Sequence, residues 1–225
     1  MEAASNDFDQ TASAGQVLDL EYTLARRVPL PSFVPSLDPV LALVALILLA
    51  PLLTLVAIAI RVDSEGPVFF RQTRTGLNGR RFQIYKFRSM RVQENGPVVQ
   101  QATRGDLRVT RVGRILRKTS LDELPQLLNV LRGEMALVGP RPHALAHDEY
   151  YGQRIPSYTR RFAVKPGLTG WAQINGSRGE TPTLAHMKRR IELDLWYIER
   201  RSLGLDLVIL LRTVLTEVTG RTNAY

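Results

Sequence analysis

The strongest feature of the hydrophobic pattern is one uncharged segment, residues 39–60, which is apolar apart from a single threonine. Its 22 residues would extend about 33 Å as a helix, close to the hydrocarbon thickness of a bilayer. No second stretch among the 225 residues approaches the roughly 20 apolar residues that a span needs. The segment begins too late in the chain, and lacks the basic start, for a typical signal peptide. The pattern excludes a polytopic membrane protein and disfavours a plain cytosolic enzyme.

Two features of this segment bear on its topology. Pro51 lies near the middle, where its missing backbone donor predicts a kink. Arginines flank both ends, so the positive-inside rule would keep both ends in the cytoplasm. These arginines are Arg26 and Arg27 before the segment, and Arg61, Arg71, Arg74, Arg80 and Arg81 after it. A straight transmembrane helix and a helix that bends and returns to the same face both remain open. We predict the returning helix: residues 34–60 form a re-entrant membrane helix kinked at Pro51.

After the apolar segment, the pattern predicts a β-hairpin and then helices. Residues 68–74 and 82–88 are rich in β-forming residues, and residues 76–79 between them supply turn chemistry. Apolar residues then recur at helical spacing over residues 112–131, with an interruption near Ser120. Ser120 and Glu123, three residues apart, have the spacing of a capping box, and Pro125 would fall in the first turn of that helix.

Two further helices are predicted near the end of the chain. Residues 183–199 read as an amphipathic helix, and residues 203–218 as a very apolar helix that is short for a membrane span. Residues 139–142 and 165–171 read as irregular elements. The predicted fold is therefore α+β and mainly helical. It combines a re-entrant membrane helix hairpin with a small cytosolic catalytic domain that contains a β-hairpin and interfacial amphipathic helices.

Charge separates the two sides of the apolar segment. Residues 1–38 carry six acids and two arginines, and residues 1–33 are polar enough to predict a disordered acidic tail. Residues 61–225 carry 28 basic and 15 acidic side chains and are long enough for one domain with its own core. Such a basic domain suits nucleic acid, an anionic membrane or phosphorylated substrates. The absence of cysteine excludes thiol chemistry, and three histidines make a zinc site improbable.

The adjacent acids Asp122 and Glu123 are the first candidates for chemistry. Two acids at a helix start usually complement the helix dipole, which is the plain alternative. Basic residues surround this pair in sequence, and they would keep a carboxylate ionised as a nucleophile or a Mg²⁺ ligand. They are Arg114, Arg117, Lys118 and Arg132.

Three other basic residues stand in settings that suit a phosphate. Arg141 lies between two prolines, where a rigid backbone would lower the entropy cost of clamping a phosphate. Arg178 lies in a polar, glycine-rich loop, and Lys86 lies in the second predicted strand. The plain alternatives are an exposed turn arginine, an ordinary polar loop and a solvated strand lysine.

Five ordered motifs resemble those of the bacterial sugar transferases, the monotopic polyprenyl-phosphate phosphoglycosyl transferases. They are FQIYKFRSM at 82–90, RKTSLDELPQ at 117–126, GEMALVGPRP at 133–142, PGLTGWAQING at 166–176 and ELDLWY at 192–197. The resemblance runs from about residue 38 to residue 214. It implies that residues 61–225 form a catalytic domain that transfers a sugar-1-phosphate from a UDP-sugar to undecaprenyl phosphate. UMP would leave, and Mg²⁺ would be required.

The resemblance also implies functions for particular residues. Asp122 matches the family's nucleophile, which forms a phosphosugar-enzyme intermediate, and Glu123 matches the acid that assists the metal or a proton transfer. Lys86, Arg117, Arg178 and Asp206 match polar residues of the family's active site, and Arg141 matches an arginine associated with the uridine nucleotide. Ala50 departs from the family pattern, because it stands where a serine usually precedes the kinking proline.

Further expectations from the resemblance concern substrate, location and partners. The loop at Arg178 resembles the branch that uses UDP-glucose or UDP-galactose, in the first membrane step of exopolysaccharide or capsule assembly. The expected partners are the UDP-sugar, undecaprenyl phosphate and inner-membrane lipid, with the catalytic domain on the cytoplasmic face and no nucleic acid. The sequence leaves the oligomeric state open, a homodimer included.

Two other classes of protein compete with this interpretation. A membrane-tethered basic binding protein without catalysis would explain the charge, although no nucleic-acid-binding motif is evident. A glycosyltransferase would move the sugar without its phosphate. The leaving nucleotide separates the three: UMP for phosphosugar transfer, UDP for glycosyl transfer and neither for a binding protein.

The re-entrant topology predicts that both ends of the apolar segment face the cytoplasm. Cysteines introduced singly near residue 30 and near residue 95 should both react with an impermeant maleimide only from the cytoplasmic side. The native sequence has no cysteine, so the unmodified protein is the background control. Labelling of position 30 from the periplasm would establish a straight span instead.

Overall fold

A computed structural model of the chain describes residues 37–91 and 105–219. The predicted tail and most of the predicted loop at 91–106 lie outside the described residues. The described part is mainly helical. Its helices are α1 Asp38–Asp63, α2 Arg111–Lys118, α3 Leu127–Leu131, α4 Leu145–Gly152, α5 Trp171–Ile174, α6 Leu184–Arg200 and α7 Leu203–Val218. Its strands are β1 Phe69–Thr75, β2 Arg81–Phe87, β3 Ala136–Val138 and β4 Gly167–Thr169, and 3-10 segments span Leu121–Gln126 and Tyr158–Ala163.

One side of α1 packs on the domain, while much of its remaining surface is apolar and exposed. Ala42 and Ile60 are buried, whereas Leu48 is 74% exposed. Within the described ranges, α1 is the one helix long and apolar enough to cross a membrane. Exposed apolar surface of this extent is unfavourable in water and favourable in lipid, so α1 indicates membrane association.

The helix α1 runs through Pro51 as a single element and ends three residues beyond the predicted limit of 60. The hydroxyl of Thr54 donates to the carbonyl of Ala50 at 2.9 Å. Asp38 lies in the first turn and Arg61 in the last, which is the charge order that complements the helix dipole. The re-entrant topology itself stays a prediction.

The predicted hairpin is confirmed. Strands β1 and β2 pair antiparallel, with Phe70 opposite Lys86. Asn78 and Gly79 in the connection have φ of 51° and 70°. Glycine and asparagine adopt this left-handed region at the lowest cost, so the turn follows from local sequence.

The predicted helix over residues 112–131 is interrupted as expected, but the capping box is wrong. Ser120 has a left-handed backbone with φ of 54°, and its side chain caps no backbone group. Its hydroxyl instead lies 2.7 Å from Arg178 Nη2 and donates to Glu217 Oε1 at 3.2 Å. A tertiary contact therefore replaces the local cap, and the chain continues as a 3-10 segment that contains both acids and Pro125.

The sequence pattern did not predict a short parallel sheet, and its second strand lies within residues 165–171, for which irregular structure is predicted. Strand β3 pairs with β4 through Ala136 and Gly167 and through Val138 and Thr169. Gly139 directly follows β3 and packs closely against the segment before β4. An added Cβ at this position would lie 2.6 Å from the carbonyl oxygen of Lys165. Strands of three residues are too short to give an alternating pattern, which explains why the prediction missed them.

The two C-terminal helices agree with the prediction. Helix α6 is shifted by one residue, and α7 has the expected bounds. Tyr197 and Ile198 of α6 are buried in the main core, which also includes Val130 of α3 and Val138 of β3. An interfacial location for these helices stays a prediction.

A buried asparagine joins the open edge of β2 to helix α3. Asn129 Oδ1 accepts from the backbone N–H of Tyr85 at 3.0 Å, and Asn129 Nδ2 donates to the carbonyl of Gln83 at 2.7 Å. The same Nδ2 donates to Glu134 Oε2 at 2.7 Å. The side-chain amide thus substitutes for a neighbouring strand and fixes the edge from which Lys86 extends.

Replacement of Asn129 by alanine should lower the free energy of unfolding by about 2–3 kcal/mol, because buried backbone groups of β2 lose their partners. Chemical denaturation in detergent measures the change. Asn175→Ala is the matched control, since Asn175 is exposed and bonds only the nearby Trp171 carbonyl. Equal stability of the two variants would contradict the assignment.

Candidate active site

Three elements bring one acid and two bases together. Glu123 comes from the 3-10 segment, Lys86 from β2, and Arg141 from the turn after β3. Lys86 Nζ lies 3.1 Å from Glu123 Oε1, and Arg141 Nη1 donates to Glu123 Oε2 at 2.8 Å. Arg141 Nη2 also donates to Glu123 Oε1, which completes a two-pronged contact. All three side chains are less than a quarter exposed.

The two adjacent acids differ in their electrostatics. Burial would raise the pKa of Glu123, but the charges of Arg141 and Lys86 outweigh it and hold that pKa well below its usual range. For Asp122, burial and then the charge of Glu123 raise the pKa to about 6, against the opposing effects of Lys86, Arg117 and Arg141. Glu123 is therefore ionised throughout the physiological range, and Asp122 becomes ionised near pH 6.

The prediction that neighbouring bases keep the dyad ionised needs a correction in detail. Arg114, Lys118 and Arg132 are exposed, and Arg132 lies instead over the Tyr85 ring. The positive charges with the largest effects on the dyad, those of Arg141 and Lys86, come from other parts of the fold. Sequence proximity identified Arg117 correctly, because its charge lowers the pKa of Asp122.

Arg178 lies at the edge of this site and is tied to the turn before the dyad. It donates to Ser120 Oγ at 2.7 Å and forms an ion pair with Glu217 of α7. Its charge also lowers the pKa of Glu123. The structure thus brings Arg178 towards the dyad as expected. Glu217 had no recognisable signal in the sequence.

The remaining predicted residue has other partners. Asp206 accepts from the hydroxyl of Tyr197 at 2.6 Å and lies 3.7 Å from Arg201 Nε. Burial raises the pKa of Asp206, with hydrogen bonds from Tyr197 and the charge of Arg201 opposing. Asp206 therefore belongs to the packing of α6 against α7 and is not brought into contact with the dyad.

A buried network behind Arg141 holds its backbone. Arg161 Nη2 donates to the carbonyl of Arg141 at 2.5 Å and to Asp194 Oδ2 at 2.9 Å. Arg161 Nη1 lies 2.6 Å from His143 Nδ1. Burial, followed by the charges of Arg161 and Arg190, holds the pKa of His143 well below its usual range. Sequence reasoning missed this network, although Asp194 lies inside one of the five motifs.

A small open cleft lies beside Arg141. Its walls come from the hairpin turn, the Pro-Arg-Pro turn and the segment before β4. The lining residues are Thr75, Gly76, Pro140, Arg141, Pro142, Arg161, Phe162, Val164 and Pro166. Arg141 is common to the cleft and to the cluster around Glu123.

Asp122 has the setting of an available carboxylate. None of the residues that the structure describes donates a hydrogen bond to it. In the described ranges, no group of three or more histidines and acids could form an all-protein metal site. Mg²⁺ does not need such a site, because it is typically held by one or two carboxylates together with substrate phosphates. The Asp122 carboxylate is therefore a suitable ligand for Mg²⁺. Glu123 as a second ligand stays a prediction, since both of its oxygens already accept hydrogen bonds.

Comparison with known proteins gives the family. The model of the bacterial sugar transferase family matches residues 32–220. A UDP-glucose:undecaprenyl-phosphate glucose-1-phosphate transferase from Caulobacter vibrioides is 59% identical over 189 residues, which cover 84% of this chain and 70% of that protein. The chain therefore belongs to the bacterial sugar transferase family.

Two further relatives differ in length. A protein of the same name from Escherichia coli K12 is 56% identical over 177 residues, which cover 79% of this chain and 38% of that protein. The exopolysaccharide production protein PSS of Rhizobium leguminosarum bv. phaseoli is 47% identical, with 79% of this chain and 91% of that protein covered. The chain thus spans well under half of the Escherichia coli relative and most of the Rhizobium relative.

The geometry predicts one carboxyl that titrates near pH 6 and disappears in Asp122→Asn. NMR of ¹³C-carboxyl-labelled protein in detergent would follow it. Glu123→Gln should lower the midpoint, because removal of the neighbouring negative charge favours the ionised form of Asp122. Glu192→Gln, a change of an exposed acid on α6, should leave the midpoint in place. A midpoint near 4 in the unmodified protein would contradict the assignment.

Proposed function

We propose that this protein transfers a sugar-1-phosphate from a UDP-sugar to undecaprenyl phosphate and releases UMP. The observation that carries the proposal is that the two acids of the dyad have different surroundings. Glu123 is held by two cations, while the neighbouring Asp122 carries no hydrogen bond from the described residues. A carboxylate that is partly exposed, ionised above about pH 6 and surrounded by positive charge suits nucleophilic attack on a phosphorus atom.

The reaction divides into two displacements at one phosphorus. In the first, an oxygen of Asp122 attacks the phosphorus that carries the sugar. The bond from that phosphorus to the bridging oxygen breaks, and its electron pair leaves with UMP. In the second, a phosphate oxygen of the polyprenyl phosphate attacks the same phosphorus and frees the Asp122 carboxylate. Neither displacement requires a proton from the enzyme when Asp122 starts ionised.

The surrounding residues favour this chemistry through charge and position. The charges of Lys86, Arg141 and Arg117 lower the pKa of Asp122 against the effect of burial. They would also offset the charge of the diphosphate, which is a principal need in phosphoryl transfer. Mg²⁺ bound at Asp122 and the substrate phosphates would supply further neutralisation. We assign the uridine half of the donor to the Pro-Arg-Pro turn at Arg141, since Arg141 matches the arginine that the family associates with the uridine nucleotide.

The names of the relatives support a donor sugar and a pathway for this proposal. Two of the relatives described above are named as UDP-glucose enzymes, and the loop at Arg178 favours UDP-glucose or UDP-galactose. The third is named for exopolysaccharide production, which supports a first membrane step in exopolysaccharide or capsule synthesis. We place the protein in the bacterial inner membrane, with the catalytic domain on the cytoplasmic face, where UDP-sugars are available.

The two competing classes are less well supported. A glycosyltransferase would need no carboxylate nucleophile aimed at phosphorus, and it would release UDP. A binding protein would not need buried cations clamped on an acid beside a carboxylate whose pKa is about 6. Assay of the nucleotide released from each of several UDP-sugars therefore separates the classes and identifies the sugar in one experiment.

Asp122→Asn should reduce UMP release from UDP-glucose and undecaprenyl phosphate by at least a thousandfold, because the amide cannot act as the nucleophile. The assay is run in detergent with Mg²⁺. Glu199→Gln is the control, since Glu199 pairs with Arg160 on the exposed surface. Turnover by Asp122→Asn near that of the control would overturn the nucleophile assignment.

A further inference from the structure

A buried arginine closes the end of the membrane helix. Arg88 directly follows β2 and is only 3% exposed. Its Nη2 donates to the carbonyl of Ser64 at 2.6 Å and reaches that of Ile60 at 3.5 Å, and its Nη1 donates to the carbonyl of Glu65. Ser64 and Glu65 lie just beyond the end of α1, and the carbonyl of Ile60 already accepts from the N–H of Ser64 at 3.2 Å. One guanidinium thus bonds the last turn of α1 and the two residues that follow it.

The chain keeps space for this guanidinium. Gly66 has φ of 114°, and a Cβ at this position would lie 2.2 Å from Arg88 Nη1. A second arginine, Arg61, donates to the carbonyl of Gly66 at 2.8 Å from the exposed side of α1. Both arginines bond the same turn, but only Arg88 connects it to β2.

The same junction includes the start of α2. Asp63 Oδ2, at the end of α1, accepts from the backbone N–H of Val112 at 3.1 Å. The N–H of Thr110 donates to the carbonyl of Ser89 at 3.1 Å. Gly113 packs so tightly on Ser89 that an added Cβ would lie 2.0 Å from its carbonyl oxygen. Helix α2 leads from here to the turn that holds the dyad.

We infer that Arg88 is a positioning residue that fixes the end of the membrane helix to the catalytic hairpin and so aligns the dyad with the lipid phosphate. The inference rests on the proposed function, because it assigns Arg88 to the second displacement. Lys86 lies two residues before Arg88, and Asp122 is reached through α2. Both are therefore joined to the end of α1 by hydrogen bonds, in addition to the apolar packing along the helix.

The first displacement does not depend on the contact between Arg88 and the end of α1. Glu123, Lys86 and Arg141 hold one another directly, and Asn129 holds the edge of β2 at Tyr85. The UDP-sugar reaches the dyad from water, whereas the polyprenyl phosphate reaches it from the membrane. Loss of Arg88 should therefore impair the lipid-dependent displacement and leave the attack on the UDP-sugar largely unchanged.

The two half-reactions can be measured separately in nanodiscs. Formation of the phosphosugar adduct from UDP-glucose without lipid acceptor reports the first displacement, and its discharge by undecaprenyl phosphate reports the second. Arg88→Met should slow discharge at least tenfold and formation less than threefold, and Arg88→Lys should be intermediate. Arg61→Met is the matched control and should leave both rates unchanged. Equal losses in both rates, or no loss in either, would overturn the inference.

A variant that retains Arg88 but displaces its guanidinium separates loss of the contact from a general folding defect. Gly66→Ala should displace the guanidinium and reproduce the selective loss of discharge, and normal discharge in a folded Gly66→Ala protein would count against the inference. If Arg88→Met does not fold, Arg88→Lys and Gly66→Ala carry the same comparison.

A distance measurement tests the contact between Arg88 and the end of α1 independently of catalytic activity. Spin labels on cysteines at Val62 of α1 and Arg81 of β2, both exposed, should give a broader distance distribution in Arg88→Met than in Arg61→Met. Identical distributions would overturn the inference. Absence of any adduct in the unmodified protein would overturn the proposed function instead, and the spin labels would still test the contact.

Discussion

The candidate site depends on one interaction, the contact of the Glu123 carboxylate with Arg141 and Lys86. Buried charges are costly unless each has a partner, so three elements that are distant in sequence must meet for this cluster to form. The cluster is also electrostatically asymmetric. It holds the pKa of Glu123 well below its usual range, and the resulting negative charge contributes to raising the pKa of Asp122 to about 6. One acid thus serves as a fixed charge and leaves the other to react.

The rest of the fold keeps these elements in place from several sides. Arg161 and Asp194 hold the backbone of Arg141 from the domain interior, and Asn129 holds the edge of β2. Arg88 joins the same strand to the end of the apolar helix. Hydrogen bonds at the end of α1, together with apolar packing along it, therefore connect the apolar helix to the elements that carry the dyad.

Much of the architecture was predictable because local sequence patterns determine it. The apolar helix, the hairpin and the last two helices follow from hydropathy, turn residues and helical spacing. The pair β3 and β4 did not, since three-residue strands carry no periodicity. The capping box at Ser120 failed because a long-range contact with Arg178 and Glu217 replaced the local one. The structure brings Lys86 and Arg141 onto Glu123 of the dyad, whereas Asp206 bonds Tyr197. The roles that the motif resemblance implies for these residues stay predictions.

The central claim is that Asp122 becomes covalently attached to the phosphosugar. The most direct test is mass spectrometry of proteolytic peptides after incubation with UDP-glucose and Mg²⁺ in the absence of undecaprenyl phosphate. The account predicts that the peptide containing Asp122 gains one hexose phosphate and loses it when the lipid phosphate is added. Attachment at another residue, or UMP release without any modified peptide, would contradict it.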